Sequence, residues 1–386
     1  MQKLACLIFL LAFYPAWSQP ESLTDSAEIS VLTLGPYQGE LYSAFGHSAM
    51  RVTDREQNFD YAFNWGVFDF DQPNFYLNFA RGRNFYMLAA HPADLFIDYY
   101  IRHNRFIHEQ KLNLTPDQKN KLYKYLLWNA EPENRTYRYD YFYDNCATRV
   151  RDVMIKVFGD SVTFDDSYIT TDYTIRKLTD IYLVHQPWGD LGIDICLGLP
   201  MDKQASAFEY MFLPDYIESS FDHAQINGTP LVKEKVNVFE SREEVYPRSI
   251  FHPMNVFVLL AVMSIALSFW DLKRKKLSTW LDGLLFGITG VIGLLLFLLW
   301  VATDHKAAAY NFNLLWALPT HLAAAIAFYK NPKWLKKYFL TVAVISGLTL
   351  VLWPVLPQQL NLNLIPLVVA LFIRAVVQYR FRTMTA

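Results

Sequence analysis

Apolar residues follow two regimes along this chain, short periods through most of it and long unbroken runs in the last third. Runs of about 20 residues, enough to cross a bilayer's hydrocarbon core, lie at 254–270, 280–301, 314–329, 338–356 and 362–379. They predict an all-α bundle of five transmembrane helices over residues 251–386. Another run, at 4–14, follows Lys3 and precedes Ala16 and Ser18, which are spaced for cleavage, so residues 1–18 read as a secretory signal peptide. Between these lies an α+β segment, residues 19–250. Short extended runs at 29–34, 45–52 and 59–64 predict strands, the first broken by Gly35-Pro36. Thr115-Pro116-Asp117-Gln118 is a capping box with proline at the first helical position, opening a helix to about Trp128. Val150, Val153, Met154, Val157 and Phe158 recur at helical spacing ahead of Gly159, which predicts a helix beginning at or just before Cys146.

Charge then orients the picture. Lys273, Arg274, Lys275 and Lys276 follow the first long run, Lys330, Lys333, Lys336 and Lys337 the third, and Arg380 and Arg382 the fifth. The intervening loops hold only Lys306. By the positive-inside rule the C-terminus is cytoplasmic and residues 19–250 are periplasmic, in agreement with the signal peptide, so the protein is expected in the inner membrane. Residues 241–253, with charges and two prolines, read as a linker. A net charge of -2, with no basic stripe in the exported part, argues against nucleic acid as a partner. The 24 Tyr and 29 Phe suit a protein working at a membrane interface.

Candidate chemistry centres on one cysteine. Cys6 falls in the signal segment, which leaves Cys146 and Cys196. Cys146 sits in a helix's first turn, capped by Asp144 or Asn145, where free amides and the macrodipole favour thiolate. If Arg55 and Glu56 form the tip of a hairpin, Val52 pairs with Phe59 and His47 with Asn64, on one face. A thiol, an imidazole and an amide that orients it form an activated nucleophile. Cys196 has no nearby histidine and no helix start; a disulfide to Cys146 is the competing use in an oxidising compartment. His91, His103 and His108 lack metal-ligand spacing, and neither metal nor cofactor is expected. Gly159-Asp160-Ser161 follows a helix end without a strand-turn-helix elbow, so it reads as a cap and turn. In the membrane part, Asp304, His305, Asn311, Asn313 and Trp316 gather at the exported ends of the second and third helices, and His321 lies about two turns inside the third. Polar groups there are costly and usually functional, which makes these six the candidate substrate-binding residues.

Histidine first, its orienting residue one hairpin later, and the Asn-Cys helix start last reverse the usual papain-like order. The chain thus resembles the circularly permuted papain-like (NlpC/P60-like) enzymes. Residues 45–52, 64–70 and 144–146 more closely resemble the Lnb-type lipoprotein N-acyltransferases, which join such an exported domain to a helical membrane domain. The resemblance implies that Cys146 attacks a phospholipid ester, His47 moves the proton and Asn64, or else Asp60, holds the imidazole. The acyl group would pass as a thioester to the N-terminal amine of a diacylglyceryl-cysteine lipoprotein. Two other readings remain open at this point. One is an envelope cysteine hydrolase, a peptidase, amidase or lipid esterase anchored by the helices; the other is a binding module on a membrane scaffold.

Overall fold

Alternation of apolar side chains dictates a sheet covered on both sides. The computed structural model describes residues 19–247, 249–328 and 330–384, so the expected signal peptide lies outside the described residues. In chain order the strands are β1 (Glu28–Leu34), β2 (His47–Asp54), β3 (Phe59–Val67), β4 (Asn84–Pro92), β5 (Ile107–Leu112) and β6 (Thr136–Tyr139). The short β7 (Val162–Thr163), β8 (Gln225–Ile226) and β9 (Thr229–Pro230) form a small separate sheet, and β10 (Val232–Phe239) joins the main one. The main sheet has the order β10-β5-β1-β2-β3-β4-β6, antiparallel throughout. Ile29, Val31, Met50, Val52, Phe63 and Trp65 pack on Leu122, Leu126, Val150 and Met154 from the helices Pro116–Ala130 and Cys146–Phe158. Residues of opposite parity, Leu32, Leu34, Ala49 and Ala62, pack on Phe96 and Tyr100 of the helix Ala93–Arg102. With period 2, each strand supplies both cores.

The β2–β3 hairpin departs from the expected register. Val52 pairs with Tyr61 and Met50 with Phe63, two residues away from a Val52–Phe59 pairing. The reason is the turn, which takes four residues, 55–58: Asn58 adopts φ +52° and its N–H donates to the Arg55 carbonyl at 3.3 Å. Asparagine tolerates that left-handed conformation. A slip of two preserves parity, so the side-chain faces survive the error. The backbone of His47 pairs with Leu34 of β1.

Among the described residues, four helices are long and apolar enough to cross a membrane: Pro253–Arg274, Thr279–Ala302, Trp334–Val355 and Leu362–Met384. The third expected helix, 314–329, is corrected. Its sequence forms a 3-10 turn, Phe312–Leu315, and then a short helix, His321–Ala327. Pro319 accounts for the break, since it lacks an N–H and disfavours helix in the residue before it. The segment nevertheless runs antiparallel to Thr279–Ala302. Ala317 lies against Gly293, Leu322 against Gly290 and Ala325 against Gly287. A Cβ on Gly293 would fall 1.9 Å from the Ala317 carbonyl oxygen, so this approach requires glycine. The path runs from Phe312, whose N–H donates to Gln358, to Asn331, which bonds Arg382. Irregular backbone is tolerated at such depth where protein buries it, and Trp316 and Ala317 are buried. Elsewhere Arg374, fully buried, joins three helices by donating to Asp282, Asp271 and Ser268 at 2.6–3.0 Å.

The two halves are clasped together. Gly198 N–H donates to the Ala307 carbonyl at 2.7 Å, Asn311 to that of Ile195 at 2.8 Å and Gln358 to that of Leu197 at 2.9 Å. Asn361 donates to the Asp190 and Asp194 carboxylates at 3.0 and 2.9 Å. Leu191, from the helix Pro187–Cys196, packs into the membrane half's own core.

Candidate active site

Local rules place the thiol. Asn145 caps the helix Cys146–Phe158 with a complete capping box: its Oδ1 accepts from Thr148 N–H at 2.9 Å, and its own N–H donates to Thr148 Oγ1 at 2.8 Å. Its Nδ2 donates to the Tyr141 and Phe212 carbonyls, which ties the helix start to two loops. Asp144, the other capping candidate, pairs with Arg149 instead. Cys146 is thus the first helical residue, half-buried, with the macrodipole's positive end behind its sulfur.

His47 and Asn64 reach the same point from β2 and β3. Asn64 Oδ1 meets His47 Nε2 at 2.5 Å. An amide oxygen accepts, so the ring proton sits on Nε2 and Nδ1 is the basic nitrogen left for the thiol. Burial pushes the Cys146 thiol up, but the His47 charge and hydrogen bond, with the Ser48 and Ala147 N–H groups, outweigh it and hold the thiol below its ordinary value. Burial likewise pushes the His47 imidazole down, and the Cys146 thiolate with the Asn64 hydrogen bond brings it net above its ordinary value. The pair therefore favours thiolate and imidazolium. Asp60, the alternative third residue, is engaged elsewhere: Arg51 donates to it at 2.8 and 2.7 Å and Thr53 at 3.0 Å.

Two features lie beyond the sequence-level expectation. Gly66 adopts φ +92° where the β3–β4 ladder slips between Asn64 and Val67, and a Cβ there would sit 3.6 Å from Cys146 Cβ and 3.8 Å from His47 Cε1. The bulge re-aims the strand beside the thiol, and Trp65, fully buried with its Nε1 on Asn129 Oδ1 at 3.1 Å, anchors it. A glycine after tryptophan inside a strand pattern was the available signal. Behind His47, Tyr100 stacks nearly parallel, at 6.4 Å between centroids and 13°. The Arg105 guanidinium lies 4.5 Å from the centre of the same ring and donates to the Gly35 carbonyl at 2.6 Å. Its Nη2 is buried and has no hydrogen-bond partner among the described residues. No short-range pattern in the sequence marks Arg105.

Both Cys146 and Cys196 are free thiols, and Cys196 ends its helix exposed. Of the six membrane-side candidates, Asp304 and His305 sit at the rim: Asp304 pairs with Arg83 and Arg138, each at 2.8 Å, and His305 Nε2 meets the Phe79 carbonyl at 3.1 Å. Asn311, Asn313, Trp316 and His321 are buried, and protein groups take their polar atoms. Asn311 and Asn313 donate to carbonyls at 194–196, Trp316 Nε1 donates to Asn313 Oδ1 at 2.9 Å, and His321 bridges Tyr338 Oη and the Trp316 carbonyl. Asn311 and Asn313 thus bond the exported domain, whereas Trp316 and His321 are held by partners within the membrane half.

An antiparallel sheet that gathers a cysteine, a histidine and an asparagine, joined to apolar helices long enough to cross a bilayer, defines the class as a membrane protein with a separate α/β domain. Comparison with family models matches residues 13–189 to the Lnb N-terminal periplasmic domain and residues 246–385 to the Lnb transmembrane domain. The chain belongs to the Lnb family. It is a membrane-anchored enzyme of lipoprotein maturation with a periplasmic domain. Curated proteins and solved structures return no match.

Proposed function

We propose that this protein is a lipoprotein N-acyltransferase working through a thioester on Cys146. The observation that carries the reading is the Cys146–His47–Asn64 cluster in a chain of the Lnb family. Cys146 Sγ attacks the carbonyl carbon of a phospholipid ester while His47 holds the thiol proton, which then goes to the departing alcohol oxygen. A lysophospholipid leaves. The amine of a diacylglyceryl-cysteine lipoprotein next attacks the thioester carbon; the C–S bond breaks, the amide forms and the amine's proton returns Cys146 to a thiol. Ser48 and Ala147 N–H groups, which hydrogen-bond the sulfur, are the donors this reading offers to the oxyanion.

In this reading residues 1–18 are a signal peptide, 19–250 a permuted papain-like acyltransferase domain and 251–386 the membrane domain. The third of five crossings is the broken segment, which leaves the C-terminus cytoplasmic. Asp304 and His305 border the substrate path, while the buried Asn311 and Asn313 act on substrate only through the junction they hold, and Trp316 and His321 only through the packing of the membrane half.

The test is the mass of the N-terminal lipopeptide of an envelope lipoprotein, made with wild type or with Cys146→Ala. Wild type should add one acyl chain and the variant none. With donor lipid present and amine withheld, wild type should accumulate acyl thioester on Cys146, and His47→Ala should form it roughly 10²–10⁴-fold more slowly. Full acylation by Cys146→Ala ends the proposal, and prompt release of free acid without an amine shows a hydrolase.

A further inference from the structure

A ridge of large apolar side chains stands in solvent beside the active site. Phe70, Tyr76, Leu77 and Phe79 expose 59, 75, 47 and 53% of their surface, three of them on the short helix Phe75–Ala80. Contiguous apolar exposure of this kind marks an interaction surface. What covers it follows from where it is held. Asp304 N–H donates to the Arg81 carbonyl at 2.9 Å, and His305 contacts the Phe79 carbonyl at 3.1 Å. Those two residues directly follow the helix Thr279–Ala302 and Thr303, so the ridge is fixed at the level where a span leaves the hydrocarbon. Trp300 against Tyr310, 5.1 Å apart, forms an aromatic pair at that end of the same span.

Rings lead from the ridge to the thiol. Phe70 and Phe75 contact Phe68 at 4.9 and 6.1 Å, Phe68 contacts Tyr86 at 5.0 Å, and Tyr86 stacks on Tyr139 at 4.2 Å. Tyr86, Tyr139 and Cys146 pack against one core cluster. Alongside lie Arg81, Arg83 and Arg138, of which Arg83 and Arg138 share the single carboxylate of Asp304. Asp69 and Asp71 lie on the same segment, so what the three arginines offer beside the rings is guanidinium N–H donors rather than a net positive charge.

We propose that residues 68–86 form a wedge immersed in the outer leaflet, whose aromatic track leads an acyl chain of a phospholipid to Cys146 while the three arginines hold its phosphate. The substrate rests on the function proposed above; the immersion does not, and the two are tested separately. Immersion is read on the full chain in phosphatidylethanolamine/phosphatidylglycerol nanodiscs, with Cys6→Ser, Cys146→Ser and Cys196→Ser and one nitroxide at Tyr76→Cys. The label should be more accessible to oxygen than to an aqueous nickel complex, opposite to a control label at Glu133→Cys. A Tyr76 label as aqueous as the control overturns the wedge and leaves the ridge as a surface for a protein partner.

Delivery is read on the combined Tyr76→Asp and Phe79→Asp variant with Cys146, His47 and Asn64 intact. Thioester formation from vesicle phospholipid should fall about tenfold or more, the loss of about 1.4 kcal/mol, while iodoacetamide alkylates Cys146 at the wild-type rate. An unchanged lipid reaction, or an equal slowing of alkylation, overturns the track. Should wild type form no thioester with any phospholipid, the proposed function fails, and the nitroxide result still decides the wedge.

Discussion

At the residue scale the site works by two opposed titrations. Cys146 is held below and His47 above its ordinary value, so thiolate persists as pH falls and imidazolium persists as pH rises. Alkylation of Cys146 by iodoacetamide, followed against pH, should inflect below the ordinary thiol value of about 8.5. His47→Ala should move that inflection upward, because burial then acts on the thiol without the opposing charge. An inflection at the ordinary value in wild type would mean that the two groups do not share charge. Cys146 and His47 were legible because each sits on a local signal, a capped helix start and a strand next to a turn. Asn64 was placed beside His47 for a partly mistaken reason, a register two residues off that happened to preserve parity. Arg105 and Tyr100 were not legible, since their relation to His47 arises only when β1, β2 and the helix Ala93–Arg102 pack together.

At the element scale the membrane half shows what hydropathy conveys and what it omits. Four apolar runs became long helices. The run at 314–329 carries Pro319, Thr320 and His321 at its middle, where Pro319 breaks the helix, and the Asn311 and Asn313 bonds to the exported domain just before it are a tertiary tie that hydropathy cannot show. Hydropathy also says nothing of how helices find one another. Here Arg374 does so, by satisfying Asp271 and Asp282 with no exposure of any of the three. Removing the cation strands two buried carboxylates, so Arg374→Met should destabilise the membrane half by about 3–5 kcal/mol. Unfolding in sodium dodecyl sulfate measures it. Replacing Asp282 by leucine in the same chain should restore part of the loss.

At the scale of the whole molecule, the clasp between the halves carries an acidic cluster. Asp180, Asp190 and Asp194 hold carboxylate oxygens within 4.8 Å of one another. Burial first, then the charges of Asp194 and Asp190, push the Asp180 carboxyl up to about 8, against Arg176 and Lys177. Burial and Asp194 push Asp190 up to about 6. A carboxyl raised on folding contributes stability that is fully present below its unfolded value, 3.8 here, and is lost as pH rises through the folded one. Asp180→Asn should therefore match wild type in Tm near pH 4, exceed it increasingly toward pH 8 and gain no more beyond. A Tm difference that does not change with pH would exclude this origin.

Residues 241–253 read as a linker from sequence, yet the chain does not hang from them alone. Bonds from 190–202 to 307–313 and 358–361 join the halves at several points. The height of the thiol above the bilayer is therefore a built dimension and not the average of a tether. Under the acyl transfer proposed above, the protein would act as a ruler: an amine would meet Sγ only if its own anchor held it at that same height. A free peptide with the right chemistry arrives from every height, and an amine carried on a lipid arrives from one.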